Sequence, residues 1–105
     1  MKYEVWDVWM ASVRYEDSDE RKERPVLVLD ANRFFITSAK MTSTQPRNSK
    51  EYLLEDWKRA GLSHATTVQL SRVYDLTDMD FVHRVGRLTI KDITAIRKIL
   101  NDIVE

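Results

Sequence analysis

Apolar and polar positions change period along this chain, predicting several short strands and a closing helix. From Tyr3 to Tyr15 the period is two: Val5, Trp9, Ala11 and Val13 fall on one face of a strand, Trp6, Val8 and Met10 on the other. Apolar groups on both faces predict core on one side and a partner surface on the other. Glu16 to Glu23 is polar and aperiodic, and reads as a hairpin loop. Val26 to Leu29 is a short apolar run bounded by Pro25 and by Asp30-Ala31-Asn32, the signature of a buried strand. Pro25 suits its first residue, where no ladder donor is needed. Asp30 to Asn32 reads as a turn, and Phe34-Phe35-Ile36-Thr37 opens a second strand beside the first.

Ser43 to Ser49 is loop-like, with Pro46 as punctuation. Asn48 followed by Glu51 predicts a capped helix start, and Leu53, Leu54, Trp57 and Ala60 continue at helical spacing to Gly61. Trp57 lies on that apolar stripe, so packing suits it better than base stacking. Ala65 to Leu70 and Val73 to Leu76 read as strand segments, and Phe81 to Leu88 as a strand or turn in which Gly86 supplies backbone freedom. Thr89 then caps a helix whose stripe of Ile93, Ile96, Leu100 and Ile103 serves core or dimer packing.

Composition narrows the function classes. A chain of 105 residues is one small domain, spanning 1–105, and cores of this size often gain from oligomerisation. There is no cysteine, hence neither a disulfide framework nor a thiolate metal site. The start of the chain lacks the apolar core of a signal peptide and no run approaches membrane-spanning length, so a soluble cytoplasmic protein is expected. Seventeen basic and seventeen acidic residues cancel, which argues against a protein that coats nucleic acid. The charges are segregated, however. Between Ala31 and Lys50 they are Arg33, Lys40, Arg47 and Lys50, while Glu16, Asp17, Asp19, Glu20 and Glu23 precede them. Such a patch suits a short single strand of nucleic acid, and equally an ordinary solvated loop. His64 and His83 are far apart, and no paired-histidine motif, phosphate loop or nucleophile elbow accompanies them.

Arg24 stands at the mouth of the Val26–Leu29 strand and Thr42 near the far end of its neighbour. Antiparallel pairing through the Asp30–Asn32 turn brings those ends together, and an arginine facing a hydroxyl suits a phosphate clamp. At these residues the chain resembles the MazF/PemK family of toxin endoribonucleases. The resemblance rests on Arg24-Pro25-Val26-Leu27-Val28-Leu29 and Lys40-Met41-Thr42-Ser43. It continues through Trp57-Lys58-Arg59-Ala60-Gly61-Leu62, Arg72-Val73-Tyr74-Asp75 and Val85-Gly86-Arg87-Leu88-Thr89.

The resemblance implies an α+β, mainly β, SH3-like partly open barrel with a C-terminal helix and a short inserted helix. It also implies a homodimer that cuts single-stranded RNA without metal or cofactor and is neutralised by a cognate antitoxin. Arg24 and Thr42 would be catalytic, and Ser43, Lys40, Arg21, Lys22, Arg72 and Asp75 would touch substrate. Two departures stand out. The family has glycine before the aspartate where this chain has Trp6-Asp7, and it often has glutamine where this chain has Leu70, with Gln69 one position earlier. A structural Arg72–Asp75 pair is the plainer reading of those two residues. Two other functions share the fold: a toxin of the CcdB type that binds DNA gyrase, and a plain interaction module.

Overall fold

A computed structural model describes residues 2–14 and 19–104. Six antiparallel strands form one sheet: β1 (Asp7–Arg14), β2 (Arg21–Ala31), β3 (Ile36–Thr42), β4 (Glu51–Leu53), β5 (Thr67–Leu76) and β6 (Phe81–Arg87). A 3-10 turn (Asp78–Asp80) precedes β6, and helix α1 (Ile90–Val104) follows it. The strand order is β4-β5-β3-β2-β1-β6, so β4 and β6 are the two edges and the sheet is a partly open barrel. Among the described residues no helix is long and apolar enough to cross a membrane.

Both faces of the sheet are covered. On one, Val8, Leu27, Ala39, Met41 and Val68 meet Leu54, Ala60, Leu88 and the α1 residues Ile93 and Ile96. On the other, Trp9, Ala11, Val13, Val26 and Val28 pack with Tyr3, Ile36 and Leu76. Tyr3, Trp9 and Phe81 stack there with ring centroids 4.6–5.7 Å apart. The doubly apolar first strand is therefore spent within the chain: Trp9, Ala11 and Val13, expected toward a partner or the core, are all buried.

Several element boundaries differ from the sequence expectation. The hairpin loop is shorter, because Arg21, Lys22 and Glu23 already pair with Arg14, Val13 and Ser12; residues 15–18, and so most of that loop, lie outside the described residues. Pro25 sits inside β2 opposite Met10, where β3 has not yet joined and a ladder donor is missing from one side only. Phe34 and Phe35 belong to the turn, in which the Asn32 carboxamide oxygen accepts both their N–H groups at 2.9 and 3.0 Å. The two segments after Ala65 are one strand, bulged where Ala39 faces Val73 but Lys40 faces Gln69.

The inserted helix does not form. Asn48 and Glu51 do make local bonds, to the N–H groups of Lys50 and Arg47, but they close a turn into strand β4. Tyr52 then pairs with Val68, and the Asp92 carboxylate takes the N–H groups of Glu55 and Asp56 that a continuing helix would need. Leu54 and Ala60 still reach the core, 2 % and 0 % exposed, through a single turn closed from Ala60 N–H to Asp56. Gly61 ends that turn at φ +91°, the stop expected of it.

Trp6 takes φ +77°, a left-handed conformation that glycine adopts freely and tryptophan rarely does. The bend is held from both sides, by Trp6 N–H to Val28 (2.8 Å) and Leu88 N–H to Trp6 (3.1 Å). Tryptophan thus takes a bend that glycine would adopt freely and adds a buried ring.

Candidate functional site

The β2–β3 hairpin sets the site. Its ladder ends at Val26 opposite Lys40; carried two positions past that end, the same register directs Arg24 toward Thr42. Strand alternation places Arg24, Val26 and Val28 on the face that carries Trp9, with Lys40 and Thr42 beside them. One row runs across five strands as Trp9–Val26–Lys40–Gln69–Glu51. The next row holds Ala11 and Arg24 on one side and Thr42, Thr67 and Leu53 on the other. Arg24, Lys40 and Thr42 are half-buried, and Ser43 is exposed at the bend that follows. The Thr42 hydroxyl accepts the Thr44 N–H at 3.2 Å, which fixes that bend.

Polar groups crowd this face. The Glu51 carboxylate, 2 % exposed, accepts Gln69 Nε2 at 3.2 Å and Arg47 N–H at 3.1 Å, with Arg47 Nη2 at 3.5 Å. Trp9 Nε1, Thr67 Oγ1 and Gln69 Oε1 are buried without a hydrogen-bond partner among the described residues, and all three lie on the Arg24–Thr42 face. A buried orphan polar atom costs about 1–3 kcal/mol. Gln69, the displaced glutamine of the sequence comparison, points here into the Glu51 network. Thr67, which the sequence analysis passed over, is found by register alone: it is Thr42's partner.

The remaining candidates scatter. Lys22 shares the Arg24 face by alternation, two positions toward the hairpin tip. Arg21 falls on the opposite face, tied to Ser12 Oγ (3.0 Å), the Ser12 carbonyl (2.8 Å) and Asp80 (2.5 Å). Arg72 is exposed on the β5 bulge. Asp75 accepts the Thr37 hydroxyl at 2.8 Å, at the other end of β3 from Thr42. Among the described residues no three histidine or carboxylate side chains are grouped to hold a metal ion.

No curated protein sequence matches the chain. Solved structures do. The Mycobacterium tuberculosis toxin MazF-mt6 is 20 % identical, with a TM-score of 0.74 over 91 % of this chain and 93 % of its own. An endoribonuclease in complex with its cognate antitoxin, from a mycobacterial species, is 14 % identical, again with a TM-score of 0.74, over 95 % and 92 %. At these identities the likeness establishes the fold. The profile described as PemK-like, MazF-like toxin of type II toxin–antitoxin system matches residues 4–104, nearly all of the chain, which therefore belongs to that toxin family.

Proposed function

We propose that this toxin is a sequence-specific endoribonuclease that cuts single-stranded RNA without a metal ion. The observation that carries the reading is the β2–β3 register, which, carried past its last pair at Val26 and Lys40, directs Arg24 toward Thr42 beside the Gln69–Glu51 polar groups. In the reaction, the ribose 2′-oxygen attacks the adjacent phosphorus and the 5′-oxygen leaves, giving a cyclic 2′,3′-phosphate and a free 5′-hydroxyl. Such chemistry needs alignment and fixed positive charge where the phosphoryl oxygens gather it. The part of Arg24 is electrostatic: a planar, two-pronged hold on the phosphate. Thr42, with Ser43 beside it, donates to the phosphate or the 2′-oxygen. Lys40 and Lys22 extend the cationic track, with Arg72 as an outer contact.

The working protein is a cytoplasmic homodimer neutralised by a cognate antitoxin; one of the similar structures holds an endoribonuclease in complex with its own antitoxin. With β1 internally covered, copy-to-copy contact draws on the exposed apolar groups, such as Val73 and Ile90, 51 % and 82 % exposed.

The test is cleavage of labelled RNA. Losing one preorganised donor costs about 100- to 1,000-fold in rate, so Arg24→Ala should leave little activity. Arg24→Lys should already be damaging, because it keeps charge but loses the fork. Thr42→Val should fold normally and cut poorly, and EDTA should change nothing. Full cleavage by a folded Arg24→Ala protein, or cleavage abolished by EDTA, overturns the mechanism. Gyrase inhibition by a protein that leaves RNA intact would replace it.

A further inference from the structure

One edge of the sheet is longer than the other, and it is bulged twice against β1, between Val8 and Trp9 and between Met10 and Ala11. Strand β4 spans only three residues, whereas β6 spans seven and pairs with β1 alone among the described residues. Beside β6 lies a cavity of about 470 Å³, lined chiefly by Met10, Pro25, Leu62, His64, His83 and Val85. Two glycines create it. A Cβ on Gly86 would stand 2.1 Å from the Ala60 carbonyl oxygen, and one on Gly61 2.4 Å from that of Val85. Only glycine lets the 56–61 turn lie this close against β6 and carry Leu62 and His64 to the side of His83.

The edge and the cavity share a character. β6 carries His83, Arg84 and Arg87 and no carboxylate. Buried Asp7 holds both guanidinium groups from the inner side, at 3.2 and 3.4 Å, leaving their side chains 50 % and 45 % exposed. Glu4 lies 3.6 Å from Arg87, and among the described residues no acidic side chain lines the cavity. An unpaired strand next to an apolar hole is the geometry of strand addition, where main-chain bonds give affinity and the hole selects a side chain. A second copy fits poorly, since antiparallel β6–β6 pairing would set cations against cations. RNA fits poorly too, for it has no main-chain amide edge with which to extend a sheet.

We propose that β6 and this cavity receive an extended acidic peptide segment, which joins the sheet as a seventh strand and sets one apolar side chain in the cavity. It rests on the toxin reading only for the segment's source, which is then the antitoxin. Met10 and Pro25 fall on the sheet face opposite Arg24, so a segment bound here grips the toxin while leaving Arg24 and Thr42 open.

The test is a titration of the isotope-labelled full chain, followed by magnetic resonance. The probe is a capped peptide of seven residues in which aspartates alternate with leucine and valine. Binding should shift the Val82–Val85 amides and the His64 and His83 rings, without slowing RNA cleavage. Replacing the aspartates by asparagine, or the protein's His83→Asp substitution, should weaken binding about tenfold, the sum of several cross-strand charge contacts. Methylating alternate peptide nitrogens should abolish it. Unmoved β6 amides at millimolar peptide, equal binding by the methylated peptide, or the same shifts produced by short oligouridine would overturn the proposal. Cleavage without peptide binding sinks this site alone; peptide binding without cleavage sinks the nuclease reading and leaves the site standing.

Discussion

Trp6 shows how one residue can be both strained and needed. An L-residue in the left-handed region costs about 1–2 kcal/mol, whereas its ring is buried to 8 % exposure against the core. Deleting that ring should cost about 3–5 kcal/mol. The informative comparison is therefore between Trp6→Ala and Trp6→Gly. Both lose the ring, but only glycine takes the bend freely, so the glycine variant should be the more stable by about 1 kcal/mol in urea unfolding. The usual order, with alanine the more stable, would mean that the backbone moves when the ring is removed.

At the scale of elements, the turn before Gly61 depends on close backbone approach to β6. Gly86→Ala forces a methyl to within 2.1 Å of a carbonyl oxygen, and neither neighbour is a flexible side chain. The expected loss is about 3 kcal/mol, the upper end for overpacking, read as a lower urea midpoint. Asp92 gives a second test. It ties α1 to Tyr52 (2.7 Å) and to the 55–56 backbone, and burial, then the Asp92 bond, push the Tyr52 phenol well above its usual range. Tyr3 is raised likewise, by burial and by Asp78.

Raised acids hold their stabilising contribution below the unfolded value of about 10 and lose it as pH climbs toward the folded value. Stability should therefore decline above about pH 10, and Tyr52→Phe should make that alkaline slope shallower while lowering stability at neutral pH. The same elements show what was legible in the sequence. The core of β2 and helix α1 were, because period and punctuation agree there, whereas the turn after β2 lies later than its punctuation and takes in Phe34 and Phe35. The inserted helix was misread because Leu53, Leu54, Trp57 and Ala60 keep helical spacing while their backbone serves a ladder and a distant carboxylate. Arg24 and Thr42 could be paired from one hairpin alone. Thr67 and the β6 cavity could not, since both depend on long-range register that no local pattern encodes.

For the molecule as a whole, the two faces of the sheet divide the labour proposed here, RNA on one and a partner segment on the other. Sedimentation at micromolar concentration should give twice the chain mass; a clean monomer would remove a shared groove from the reading. Topology adds a consequence in time. The hairpin holding Arg24 and Thr42 is local, but β1 gains its second neighbour only from β6, and Asp7 meets Arg87 across 80 residues of chain. Long-range closure of that kind comes late, both by loop entropy and by the order of synthesis. A ribosome making this toxin therefore completes the proposed acid-binding edge and its cavity only after β1 to β5 have been made. A partner that waits for that edge would capture the chain at the moment it becomes dangerous.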